Sequence, residues 1–78
     1  MAKINWQQKR AADALAERIY DALQDEGVEV EVIPGTRWDG VPYGKIVAAL
    51  STRVLHLLEA NGFRADDRGA CVIVLEAS

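Results

Sequence analysis

Apolar residues recur along this chain in three rhythms, and each rhythm marks a different kind of element. Between Asn5 and Glu26 they fall at Ala12, Leu15, Ala16, Ile19, Ala22 and Leu23, the three- and four-residue spacing of one helix face. Lys9, Arg10, Asp13, Glu17, Arg18, Asp21 and Asp25 take the other side. Asn5 is a favoured N-cap residue, and Gln8 stands where a capping box places Gln or Glu. Gly27 supplies the stop. The apolar stripe is narrow and rich in alanine, so this helix is expected to lie close against a sheet. Trp6 lies off the stripe, as a staple at the helix start or as an exposed aromatic.

The second rhythm is strict alternation. Val28, Val30 and Val32 alternate with Glu29 and Glu31, which predicts a strand over 28–33 with one buried face. Outward glutamates suit an edge strand, where charge discourages pairing with another chain. The following stretch, residues 34–44, holds three glycines and two prolines and reads as a long loop. Helical spacing then returns over 45–61, with Ile46, Val47, Leu50, Val54, Leu57 and Leu58 on one face and Asn61-Gly62 as the stop.

The third rhythm is an unbroken run, Ala70 to Leu75, the only six consecutive apolar residues in the chain. A strand covered on both faces reads this way, so it is expected at the centre of a sheet. Phe63-Arg64-Ala65-Asp66 precedes it as a short strand, and Asp67-Arg68-Gly69 makes the hairpin turn between them.

The element order is thus helix, strand, helix, strand, strand. A crossover through the second helix makes the first two strands parallel, and the apolar run belongs between them. The expected fold is a two-layer α+β sandwich: a three-stranded mixed sheet, order 1-3-2, with both helices on one face. That leaves the other face showing apolar residues of the central strand whichever way it is turned. The strip should be covered by the 34–45 loop, by a second copy of the chain, or by a partner.

Composition narrows the functional classes. Seventy-eight residues make a single domain over 1–78, half of them apolar. The net charge of −3 argues against a generic binder of nucleic acid or anionic membrane. One cysteine, Cys71, makes no internal disulfide, which points to a reducing, cytoplasmic compartment. No leader of the export type opens the chain and no apolar run approaches a membrane span.

The chemistry on offer is sparse. Gly40 to Lys45 lies between a predicted strand and helix, but a phosphate-binding P-loop needs a longer spacer and a Ser or Thr where Ile46 stands. His56 is the only histidine and has Glu59 as its one nearby orienting partner. One histidine and one cysteine fall short of a structural zinc site. No cofactor, metal or catalytic constellation is expected. The residue types that do stand out are in the loop: Arg37, Trp38, Tyr43 and Lys45, with the aromatic and cationic character of interface hot spots. Trp38 and Tyr43 either bind a partner or fold back as a lid on the open sheet face.

The segment Ser51-Thr52-Arg53-Val54-Leu55-His56-Leu57-Leu58-Glu59-Ala60-Asn61-Gly62-Phe63, with the Arg68-Gly69 hairpin after it, resembles the recognition helix and wing of winged-helix DNA-binding domains. The resemblance implies that Thr52, Arg53 and His56 face the major groove and Arg68 sits on the wing, with Lys45 completing the basic surface. Two readings of function follow. One is a non-enzymatic protein-binding module, an adaptor or inhibitor of the kind phages and mobile elements encode, acting through the 34–45 loop and the open sheet face. The other is a winged-helix-like DNA binder using the 45–61 helix and the 63–75 hairpin.

Overall fold

The computed structural model describes residues 5–77. Helix α1 runs Trp6–Asp25 and helix α2 runs Thr52–Ala60. Four strands, β1 Ile33–Thr36, β2 Pro42–Ile46, β3 Phe63–Asp67 and β4 Val72–Glu76, form one antiparallel sheet in the order β1-β2-β4-β3. The fold is α+β, with both helices packed on one face of the sheet.

Helix α1 starts and stops where its sequence signals lie. The Asn5 side chain accepts hydrogen bonds from the Gln7 and Gln8 backbone N–H groups, each at 3.1 Å. At the other end Gly27 takes a positive φ of 77°, and the Val28 N–H donates back to the Leu23 carbonyl at 2.9 Å. Ala12, Leu15, Ala16, Ile19 and Leu23 are buried, as the stripe requires. Trp6 is not a staple: it is 61% exposed, with the Lys9 ammonium 5.3 Å from its ring centroid.

The sheet corrects the expected one in number, direction and position of strands. Residues 28–32 are extended, with the valines half-buried and the glutamates exposed, but they join no strand. The alternation marked a chain lying with one side on the core, and such a chain needs no ladder partner. Only Ile33 of that segment enters the sheet. The 34–44 stretch is no loop but most of a β-hairpin. Trp38-Asp39 make its turn, Gly40 follows at φ 87°, and the Gly40 and Arg37 N–H groups donate to the Arg37 and Val41 carbonyls at 2.9 Å. This is the three-residue hairpin connection that ends in a left-handed glycine.

Lys45 and Ile46 belong to β2, so the second helix is shorter than 45–61. It begins at Ser51, whose hydroxyl accepts from the Val54 N–H at 3.3 Å. Val47, expected on its apolar face, is 63% exposed in the connection. The sheet is antiparallel throughout rather than mixed. The expected three-strand order 1-3-2 gives way to β1-β2-β4-β3, in which β2 and β3, joined through α2, run the same way with β4 between them. The first strand of that trio is 42–46 instead of 28–33, and β1 is added outside it.

Val72 and Val74 of β4 meet Leu15, Ile19, Leu23, Ile46, Val54, Leu58 and Phe63 in one core beneath the helices. Gly44 sets how closely α1 approaches. A Cβ there would come within 2.7 Å of Ile19 Cδ1 and 2.8 Å of Val32 Cγ1. Gly44→Ala is therefore expected to destabilise the domain by about 1–3 kcal/mol, the usual cost of overpacking a filled core. A denaturant titration measures this, and an unchanged midpoint would mean that α1 is free to lift away.

Candidate functional site

The face of the sheet away from the helices, with the β1–β2 turn at its end, brings Arg37, Trp38, Tyr43 and Lys45 together. Side chains alternate across a strand, and burial of Gly44, Ile46, Val72 and Val74 under the helices assigns the opposite set to this face. Ile33 and Gly35 come from β1, Tyr43 and Lys45 from β2, Ile73 and Leu75 from β4, and Arg64 and Asp66 from β3. The registry orders them in rows. Ile33 pairs with Lys45, Lys45 with Ile73, and Ile73 with Asp66. In the neighbouring row Gly35 pairs with Tyr43, and Leu75 with Arg64.

Tyr43, Ile73, Leu75, Arg64 and Asp66 line a trough of about 590 Å³, with Arg37 and Trp38 at the β1–β2 turn and Arg68 at the β3–β4 turn closing its sides, and Lys45 stands beside it through its pairing with Ile73. Ile73 and Leu75 form its floor and are half-buried. Trp38 is 94% exposed at the hairpin tip. It is not a lid. Tyr43 behaves differently, because its ring lies across Gly35: a Cβ at position 35 would clash with the Cζ–Oη end of the ring. The glycine thus seats the tyrosine flat on the edge of the sheet.

The charges around the trough are arranged unevenly. Arg37 Nη2 pairs with Asp39 Oδ2 at 3.0 Å, and Asp39 Oδ1 also accepts from the Val41 N–H at 3.3 Å, bracing the turn that carries Trp38. Arg68 Nε donates to Asp66 Oδ2 at 3.1 Å, and its Nη2 forms an ion pair with the same oxygen at 3.1 Å. Among the described residues Lys45 and Arg64 form no ion pair. The face therefore carries four cationic side chains and two carboxylates, and the two unpaired cations stand on either side of the Ile73–Leu75 floor.

The structure divides the winged-helix set. Thr52, Arg53 and His56 are exposed on the outside of α2, which packs on the helical side of β3. Lys45 and Arg68 lie on the opposite side of the sheet, in or beside the trough. The segment before α2 is strand β2, not a helix, and the 63–75 hairpin is built into the sheet instead of standing out as a wing. By contrast Arg37, Trp38, Tyr43 and Lys45 share one face. Ile73, Leu75 and Arg64 join them, and the sequence reading had not singled these three out as site residues. The alternating parity of the central strand was the signal for the first two. Among the described residues there is no cluster of His, Cys, Asp and Glu suited to a metal, and no helix long and apolar enough to cross a membrane. Comparisons with protein-family models, curated proteins and solved structures find no match for the chain.

Two aromatic environments are predicted on this face. In a Trp6→Phe background, Trp38 should be quenched by acrylamide almost as readily as free tryptophan. Gly35→Ala should lift the Tyr43 ring from the sheet, shifting its ring-proton resonances while the core methyl resonances of Val72 and Val74 stay in place. Strong protection of Trp38 from quencher would mean that the hairpin tip folds back.

Proposed function

We propose that the chain is a small non-enzymatic protein-binding module, an adaptor or inhibitor, which engages its partner through the β1–β2 hairpin and the open sheet face. The observation that carries this reading is Trp38, held 94% exposed at the tip of a braced hairpin beside an apolar floor. Exposing a tryptophan in the free state forgoes the roughly 1.5–3 kcal/mol that burying a large apolar side chain contributes. Tryptophan and arginine are also the side chains most often found to dominate interface energies.

The flanking residues support the same use. Tyr43 is pre-seated over Gly35, so little side-chain freedom is lost when a partner covers it. The Arg37–Asp39 pair holds the turn in one geometry. The trough is open and shallow, which suits a protein surface better than an enclosed small-molecule site.

Trp38→Ala separates binding from folding. An exposed side chain contributes little to stability, so the melting temperature should move by no more than about 4 °C. Affinity for the partner, recovered by crosslinking to the intact domain and then measured by calorimetry, should fall by about 2–4 kcal/mol. A partner bound equally well by the Trp38→Ala protein would place the interface elsewhere.

A further inference from the structure

The charges around the trough specify what kind of surface fits it. Lys45 and Arg64 flank the Ile73–Leu75 floor without a carboxylate partner among the described residues. With one strand between β2 and β3, and strands about 4.8 Å apart, the two positions stand on the order of 10–12 Å from each other. From this we infer, resting on the protein-binding reading, that the partner presents an acidic segment: apolar side chains against Ile73 and Leu75, with carboxylates on either side that pair with Lys45 and Arg64.

Charge complementarity favours this occupant over the two alternatives. Two copies pairing through this face would set Lys45 of one opposite Asp66 of the other, but would still bring two net-positive surfaces together and leave Arg64 without a carboxylate, which is unfavourable at an interface. A nucleic-acid strand would bring a continuous line of phosphates past Asp66 and Asp39, and past a chain whose net charge is −3. An acidic protein segment needs only discrete carboxylates at the two unpaired cations. Its approach is assisted by the local positive potential while the acidic helix side of the domain stays turned away.

The test selects dodecapeptides from a random display library on the intact domain and titrates the winners as synthetic peptides. The expected winners combine apolar residues with two or more Asp or Glu, and need Trp38. Lys45→Glu and Arg64→Glu should each weaken them at least tenfold, and raising salt from about 50 mM to about 500 mM should weaken them further. Arg53→Glu, on the far side of the sheet, should leave them unchanged. Neutral or basic winners that need Trp38 but ignore both charge reversals would overturn the acidic assignment and leave the protein-binding reading standing. If no winner depends on Trp38, both readings fall. Two further arms use defined probes. Tight, Arg64-dependent binding of a single-stranded oligothymidylate of about twenty nucleotides would make the occupant a nucleic acid. Concentration-dependent sedimentation of the protein alone, abolished by Lys45→Glu, would make it a second copy seated on this face. Either result overturns the inference.

Discussion

The close approach of α1 to β2 at Gly44 is the constraint on which the rest of the fold depends. The alanine-rich stripe of α1 lets the helix sink towards the sheet, and Gly44 leaves the space for Ile19 and Val32 to fill. Leu15, Ile19 and Leu23 are then buried almost completely, each contributing about 1.5–3 kcal/mol in apolar transfer. Once α1 covers β1, β2 and part of β4, only β3 and the rest of β4 remain for α2. A helix of nine residues, anchored by Val54 and Leu58, is enough for that remainder. The helical side is filled, and among the described residues the other side of the sheet has no second layer.

Where sequence reading failed, it failed over glycine and proline. Three glycines and two prolines in 34–44 read as loop residues by type, yet four of those five sit within strands or begin one. Pro34 is in the edge strand and Pro42 opens β2, the places where a missing N–H is tolerated in a sheet. Gly35 and Gly44 are there for packing on opposite faces, one beneath Tyr43 and one beneath α1. Gly40 alone served as a turn residue, and Asp39-Gly40 between two β-prone runs was the legible hairpin signal. The 28–32 alternation was real as burial and misleading as pairing, because a sequence pattern records which side faces the core and not whether a neighbour supplies hydrogen bonds.

What was legible about the candidate site came from the central strand. An apolar run cannot alternate, so it announced a two-sided strand before any topology was known, and β4 does lie inside the sheet between β2 and β3. The same run implied that the non-helical face would show apolar atoms. Arg37, Trp38, Tyr43 and Lys45 were legible as residue types. Their common face was not, since Tyr43 and Lys45 share a strand parity that a helix beginning at Lys45 would have broken. Arg64 was not legible for the same reason: its place opposite Lys45 follows from β3 lying two strands from β2, a fact of topology that no local pattern contains.

An open sheet with an apolar floor invites indiscriminate pairing, and the way this sheet avoids it bears on how the face is used. Both edges are blunted. Edge strand β1 is four residues long and contains Pro34, while β3 carries Arg64, Asp66 and Asp67. Edge-to-edge pairing between copies is disfavoured, which leaves the face across Ile73 and Leu75 as the open surface. There the floor is narrow, one strand wide, and hemmed by long side chains whose aliphatic stems cover part of it while their charges stay in water. A flat hydrophobic surface gains little from so small a strip and leaves Lys45 and Arg64 desolvated without partners, at a cost of the order of 1–3 kcal/mol or more for each. The arrangement thus discriminates by penalty as well as by attraction. On the proposed acidic-segment reading, a surface lacking carboxylates at the right separation would be rejected by the same two cations that would hold one possessing them.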